Sequence, residues 1–359
     1  MDDRRSTAVS IGNGTRSPSM IKKRQHVTLK EIARELDLAP STVSMALNNH
    51  PMIKEETRRL VQDFARRVNY FPNLAARAMV KGKTSLVGLL ISNIQSSFFP
   101  EIIQGIEDVL ADEGYSVILC PTNDVSERER YYMNLVRQKG VDGIISENPP
   151  DSPNCEEWAR LAAEKPVVFI LRRPKVPGAV SLVVNNRLGA QMATRHLIAL
   201  GHRRIAHMAG PQLLDISQNR LEGYLAAMSE VGLSAHEDLI FAAPDFAYET
   251  GYRAMARFLD HVTPPTAVFC ASDITALGGI HCARERGLKV PEDISFVGFD
   301  DLPIAAIAEV PLTTIAQPKE QLGRMAAEKL IRMIEGNKTI GKTLTPTLIE
   351  RASTAPPRP

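Results

Sequence analysis

Residues 27–48, VTLKEIARELDLAPSTVSMALN, constrain this chain more than any other stretch. Thr28 followed three residues later by Glu31 is a capping box, which opens a helix by satisfying two backbone donors reciprocally. Leu29, Ile32, Ala33 and Leu36 then recur at helical spacing and give that helix one apolar stripe. The break at Asp37, Leu38 and Ala39 ends it, and Pro40, with its fixed φ, opens a second helix. There Val43, Ala46 and Leu47 face inward, which leaves Pro40, Ser41, Ser44 and Met45 outward. Two short helices joined by a three-residue turn, the second with small polar residues outward, predict a helix-turn-helix; an ordinary pair of packed helices is the alternative. A third helix is expected over residues 54–68, with Leu60, Val61, Phe64, Ala65 and Val68 as its inward stripe.

Charge supports the first reading. The net charge of +2 over 359 residues hides an asymmetry: residues 1–83 hold 16 Lys/Arg against 8 Asp/Glu, and the remainder 27 against 33. A basic head on an acidic body suits a polyanion-binding module joined to a part that does not touch the polyanion. Residues 1–25 lack the apolar core of a secretory signal and read as a disordered arm. No apolar run approaches the ~20 residues of a membrane span, so a cytoplasmic location with no membrane partner is expected. Cys120, Cys155, Cys270 and Cys282 are scattered without a C-x-x-C, which indicates neither a disulfide framework nor a zinc site.

Beyond the head, residues 73–80 form a helical pattern closed by Gly82, too short to persist alone in water and so suited to a hinge. From residue 85 strands and helices alternate. Strands are expected at 86–91, 116–120, 143–146, 167–171, 182–184, 205–209, 267–271, 294–298 and 313–317. Such alternation predicts parallel sheets with helices on both faces, and this many strands predicts two similar lobes. Ligands of open α/β sheets lie beyond the carboxyl ends of the strands, so facing lobes would enclose a small molecule there.

Six segments, in this order and spacing, carry a resemblance. They are TLKEIARELDLAPSTVSMALN, NYFPNLAARAMVKGKT, GHRRIAHMAGP at 201–211, TAVFCASDITALG at 266–278, PEDISFVGFDD at 291–301 and LTTIAQP at 312–318. Over residues 27–352 the chain resembles the lactose-repressor family of bacterial transcription regulators. The resemblance implies an N-terminal all-α helix-turn-helix head, a short hinge helix, and an α/β two-lobed effector domain. That domain has the periplasmic-binding-protein-like (type I) fold with parallel sheets. The organisation expected is an arm at 1–25, the head at 26–72, the hinge at 73–84, the effector and dimerisation domain at 85–352 and a tail at 353–359. Lobe 1 takes about 85–184 and 316–345, and lobe 2 about 185–315 and 346–352.

The same resemblance implies a homodimer, with a tetramer left open, on palindromic double-stranded operator DNA. Pro40, Ser41 and Met45 match base-reading positions, while Thr28, Thr42, Ser44 and Asn48 match positions that contact or frame the DNA backbone. Relatives often carry Arg where Met45 stands, and Met45 offers only apolar contact, for example to a thymine methyl. Ala39 replaces the usual Ser and lacks a capping hydroxyl. In the hinge, Met79 matches a leucine that wedges between base pairs in the minor groove, and Arg77 and Lys81 are placed for phosphates. Phe99, Arg220, Phe246, Ser272, Asp273 and Asp300 match positions around the effector cleft, where aromatic faces stack on rings and Arg and Asp bind hydroxyls bidentately.

Departures qualify that picture. Leu171 and Asn185 stand where relatives often carry Asp, and Leu213, Leu214 and Ile216 make the loop after Pro211 apolar. Fewer carboxylates and more apolar groups argue against a simple neutral hexose, and Arg172 and Arg173 fit either an anionic ligand or ordinary surface charge. Two other functions compete. A solute-binding protein for a transporter, or another non-DNA-binding sensor, shares the two-lobed fold but leaves the basic head unexplained. An α/β enzyme such as a sugar kinase or dehydrogenase would need G-x-x-x-x-G-K-[ST] or G-x-G-x-x-G, and the chain has neither in place. No cofactor, metal or catalytic residue is expected. Replacing Arg77 or Lys81 with Ala should weaken binding to the operator and flatten the slope of log affinity against log salt by about one unit per lost phosphate contact. Salt titrations by fluorescence anisotropy check this, and an unchanged slope removes both from the phosphate set.

Overall fold

The computed structural model describes residues 27–70, 82–147 and 153–358. The expected arm at 1–25 and Arg77, Met79 and Lys81 of the expected hinge lie outside the described residues. The head and the body from residue 82 onward are separate compact units.

In the head, helix α1 (Leu29–Glu35) starts on the expected capping box. Thr28 Oγ1 accepts the Glu31 N–H at 3.3 Å, and the Glu31 carboxylate accepts the Thr28 N–H at 2.6 Å. Asp37 takes a left-handed φ of +50° and turns the chain toward helix α2 (Pro40–Leu47), which opens on Pro40 with no side-chain cap from Ala39. Helix α3 (Glu55–Arg67) closes a small core of Ile32, Ala33, Val43, Ala46, Val61 and Ala65. Leu60 does not join it and is 48% exposed. Each helical residue turns about 100°, so the stripe Val61, Phe64, Ala65, Val68 leaves Leu60 at its edge.

The body begins with strands β1 (Leu86–Ile91), β2 (Ser116–Pro121), β3 (Gly143–Ser146), β4 (Val167–Ile170) and β5 (Val180–Val184). Helices α4 (Phe99–Asp112), α5 (Ser126–Lys139) and α6 (Cys155–Glu164) lie between them. Strands β6 (Ile205–Ala209), β7 (Ile240–Ala242), β8 (Ala267–Cys270), β9 (Ser295–Asp300) and β10 (Thr313–Ala316) follow. Their helices are α7 (Asn186–Ala199), α8 (Asp215–Glu230), α9 (Tyr248–Leu259), α10 (Asp273–Glu285) and α11 (Pro303–Ile307). Helix α12 (Lys319–Ile334) and strands β11 (Lys342–Leu344) and β12 (Thr347–Ile349) end the series.

Among the described residues these strands make two six-stranded sheets, ordered β11-β5-β4-β3-β1-β2 and β12-β10-β9-β8-β6-β7. Every pairing is parallel except β10 with β12, so the body is the two-sheet, parallel-dominated α/β architecture expected. Continuous apolar runs such as LVGLLI in β1 are buried on both faces because helices cover both. Strands β7, β11 and β12 were not anticipated: at three residues each, they are too short to show a period. Three connections cross between the sheets, namely β5 to β6, β10 to α12, and β11 to β12. Among the described residues no helix is long and apolar enough to cross a membrane.

Where a tail was expected, residues 353–358 run along the second sheet. Ser353 is fully buried, its Oγ donates to Phe296 O at 2.6 Å and accepts the Thr313 N–H at 2.8 Å. His202 Nε2 meets Ala355 O at 2.9 Å and its Nδ1 meets Thr266 Oγ1 at 2.9 Å, a structural role for that turn.

Helix α12 returns from the second sheet to pack against the first, with Leu322, Ala326, Ala327 and Leu330 in that core. It approaches α4 so closely that a Cβ on Gly323 would lie 2.1 Å from Ile102 O, and one on Gly105 2.4 Å from Glu320 O. Gly323→Ala should therefore destabilise the body by roughly 1–3 kcal/mol, since neither helix backbone can yield without disturbing the core. Urea unfolding measures this, and an unshifted midpoint would show that the two helices are free to separate.

Candidate functional site

The head presents a polar surface on α2. Thr28, Pro40, Ser41 and Asn48 are exposed, and Thr42, Ser44 and Met45 are half-buried. Asn48 Nδ2 donates to Ser44 O at 2.8 Å, which closes the helix with its own C-cap. Met45 is not among the apolar side chains packed on the head core, where Leu29, Leu36, Leu38, Leu47 and Phe64 are. It is half-buried on the helix that carries the expected base-reading residues.

In the body, a cavity of about 420 Å³ lies where the carboxyl ends of the two sheets meet. Each sheet reverses its strand order at one point, between β1 and β3 and between β6 and β8, and residues just beyond these strands line the cavity. Doubly wound sheets leave such a crevice because the connections on either side of the switch depart in opposite directions. From the first lobe come Phe98 and Phe99 at the start of α4, Glu147 after β3, and Leu171 and Arg172 after β4. From the second come Arg220 on α8, Phe246 before α9, Ser272 after β8 and Asp300 ending β9. Phe98 and Phe99 meet edge to face with centroids 5.5 Å apart, and Phe99 also belongs to the first lobe's core.

Arg220 is 3% exposed, so it is not a surface helix charge. Its Nε donates to Asn186 Oδ1 at 2.8 Å, its Nη1 to Ala271 O, and its Nη2 lies 3.7 Å from Asp300 Oδ1. The guanidinium lies 3.8 Å from the Phe299 ring centroid and 5.9 Å from that of Phe246. Burial pulls the Arg220 pKa down and the Asp300 charge opposes it. Asp300 in turn is raised by burial and held down chiefly by Arg220, then by a 2.7 Å bond from Gln317 Nε2.

Asp300 and Asp301 have φ of +115° and +50°, a left-handed bend uncommon for residues with a Cβ. Lys319, 2% exposed in its side chain, fixes the bend by donating to Asp300 O at 2.9 Å and Asp301 O at 2.7 Å. The same ammonium lies 2.9 Å from Glu101 Oε1 on α4, so it ties the second lobe's cavity-facing end to the first lobe.

Asp273 is the one expected cleft residue that the structure does not place on the cavity wall. Ser272 supplies the N-cap of α10, accepting the Thr275 N–H at 3.2 Å, and Asp273 turns inward with no exposed surface. Its two oxygens accept from Thr314 Oγ1 at 2.5 Å and from the Leu302 N–H at 2.7 Å, pinning β10 and the segment after β9. It is a buttress behind the wall. Asn185 likewise caps α7 by accepting the Leu188 N–H at 3.0 Å. Leu214 and Ile216 line the cavity, whereas Leu213 is 89% exposed. Glu147, Phe98 and Gln317 went unnoticed in the sequence, although each falls within four residues after a strand or beside an expected site residue. A search restricted to strand ends would have found Glu147 and Gln317, and Phe98 is the neighbour of Phe99.

Family models match both the head and part of the body. Residues 28–73 match the family described as "Bacterial regulatory proteins, lacI family", and residues 194–354 match "Periplasmic binding protein-like domain". The HTH-type transcriptional repressor PurR of Proteus mirabilis (strain HI4320) is 35% identical over 333 residues, which cover 91% of this chain and 97% of that protein. The HTH-type transcriptional repressor CytR of Escherichia coli (strain K12) is 34% identical over 317 residues, covering 88% and 92%. Among solved structures, the lac repressor dimer bound to operator and the anti-inducer ONPF superposes with a TM-score of 0.82 at 25% identity, covering 92% of this chain and 99% of that one. The transcriptional regulator CelR in complex with cellobiose gives 0.69 at 31% identity, covering 91% and 99%.

Burial, then the Asp300 charge, raises the Asp273 pKa from 3.8 to about 8. The folded state therefore binds a proton that the unfolded state has released between these values, and this group's contribution to stability falls as pH rises through that window. Asp273→Asn keeps an acceptor for Leu302 and offers an amide donor to Thr314, while removing the ionisation. The variant should match the wild type below about pH 4 and exceed it increasingly as the pH rises toward 8 in thermal unfolding. Parallel curves for the two proteins would mean that Asp273 does not carry this dependence.

Proposed function

This chain belongs to the lacI family of bacterial regulatory proteins, and from that premise we propose that it is a sequence-specific DNA-binding repressor. Its affinity for a palindromic operator is set by a small molecule held between the two lobes. The observation that carries the reading is the cleft itself: aromatic, charged and hydrogen-bonding groups from both lobes converge there on the body of a chain whose head is a helix-turn-helix. The chemistry proposed is binding, with no bond made or broken.

In this reading α2 lies in the major groove, with Pro40, Ser41 and Met45 toward the bases and Thr28, Thr42, Ser44 and Asn48 toward the backbone. Arg77 and Lys81 meet phosphates and Met79 enters the minor groove. Phe99, Arg220, Phe246, Ser272 and Asp300 contact the effector, and Asp273 supports them from behind. A second copy of the chain is the proposed occupant of the apolar face of α9, α10 and α11, where Ile307 is 78% and Ile304 40% exposed beside Tyr248, Leu277 and His281. Pairing two heads in this way matches a palindrome of two half-sites.

Genome-wide mapping of bound sites supplies the operator, and the neighbouring genes supply a panel of metabolites. Asp300→Asn should then weaken the effector response roughly tenfold or more, the size of one charge-assisted bond, and leave operator affinity nearly unchanged. Operator anisotropy titrations with and without the metabolites measure both. A full response in the variant would remove Asp300 from the site, and a wild-type protein indifferent to every mapped sequence would end the repressor reading.

A further inference from the structure

The two arginines that face the cleft differ in one respect. Arg220 has a partner for each nitrogen. Arg172 does not. It is 4% exposed, and only its Nη2 is engaged, 3.2 Å from Glu147 Oε1 and 4.0 Å from Asp124 Oδ1. Its Nε and Nη1 are buried and have no hydrogen-bond partner among the described residues. A guanidinium stays charged under all ordinary conditions, so two bare nitrogens shielded from water are a cost that some acceptor must relieve.

The surroundings fix that side chain in place. Leu171 takes a left-handed φ of +66° at the end of β4, a conformation a leucine adopts only when its neighbours impose it. Its N–H is held by Leu182 O at 2.8 Å, and the bend delivers Arg172 to the cavity wall. Glu147, which holds Nη2, is itself held by the Ser92 N–H at 2.9 Å. Burial raises the Glu147 pKa and Arg172 pulls it down, and this carboxylate reaches only the Nη2 end of the guanidinium. Leu171 adds an apolar side chain and no acceptor. Arg173, by contrast, is exposed and donates to Thr343 Oγ1 at 3.1 Å.

We propose that the effector carries an anionic oxygen group, a carboxylate or a phosphate ester, and that Arg172 is the residue that selects it. This rests on the reading of the cleft as the effector site and narrows that reading to one ligand class. An oxyanion supplies several strong acceptor positions to a guanidinium held on the cavity wall, whereas a hydroxyl supplies weaker ones and brings a donor that finds no acceptor on Leu171.

The test is calorimetric titration of the full-length protein with two matched sets, ribose with ribose 5-phosphate and ribonate, and glucose with glucose 6-phosphate and gluconate. At least one anion should bind about 10- to 100-fold more tightly than its neutral parent, the worth of charge-assisted bonds to a buried donor. Phosphate and carboxylate arms distinguish the two sources. The preference should vanish in Arg172→Met combined with Glu147→Gln, which avoids leaving a lone buried carboxylate, and persist in Arg173→Met. Neutral parents that bind as tightly as the anions, no binding by any of the four anions, or a preference that survives loss of Arg172 each overturn the proposal. A neutral compound whose binding needs Asp300 but ignores Arg172 would overturn it while leaving the effector reading intact.

Discussion

The buried guanidinium of Arg220 is the interaction on which the second lobe's cavity-facing end depends. A cation that cannot shed its proton is tolerable in a protein interior only when its donors are occupied and its charge is opposed. Here the occupants come from separated parts of the chain: Asn186 opening α7, the Ala271 carbonyl after β8, and Asp300 ending β9. Beneath them Phe299 offers its ring face at 3.8 Å. One side chain thus fixes the relative positions of three strand and helix ends that share no local sequence. Removing one partner of such a buried pair costs about 3–5 kcal/mol, because the remaining charge is stranded. The wall is therefore defined as a unit, and its residues do not act independently.

A second buried cation extends that constraint across the lobes. Lys319 opens α12, a helix that packs on the first sheet, yet its ammonium bonds the carbonyls of Asp300 and Asp301 in the second. Its remaining partner, Glu101, belongs to the same helix as Phe99. The left-handed pair at 300 and 301 cannot relax without losing the ammonium, and the ammonium cannot move without disturbing α4. Any rotation of one lobe on the other acts on this junction, next to Gln317 and the carboxylate that faces the cavity. Coupling between lobe arrangement and site geometry follows from that placement, without a long relay of side chains.

Periodicity and punctuation made the framework legible. The capping box at Thr28 and Glu31, Pro40 at the start of α2 and the buried apolar runs of β1 and β6 are local signals that the tertiary structure leaves in place. Most of the misses depend on neighbours far along the chain. Nothing near Asp273 says that Thr314 and Leu302 will take both its oxygens. Arg172 and Arg173 are adjacent and chemically identical, and only the bend at Leu171 sends one inward and leaves the other at the surface. Residues 353–358 carry no period, yet Ser353 replaces a strand partner for Phe296. Strands of three residues held by a sheet edge, such as β12, are likewise set by their partners and not by their own composition.

The two walls of the cleft also differ in how complete they are without a ligand, and that difference bears on how a signal arises. In the second lobe the polar groups facing the cavity already satisfy one another, whereas the first lobe keeps buried donors on Arg172 unused. A ligand shifts a conformational equilibrium only by the difference in its contacts between the two arrangements. A molecule resting on the second wall alone senses the setting of the lobes only through the Lys319 junction. One that spans both walls gains its first-lobe contacts only in the arrangement that brings Arg172 within reach. Allosteric couplings are typically about 1–3 kcal/mol, the size of one or two charge-assisted hydrogen bonds. A single contact made or lost across the line between the lobes then shifts the balance between two such arrangements by about 5- to 150-fold.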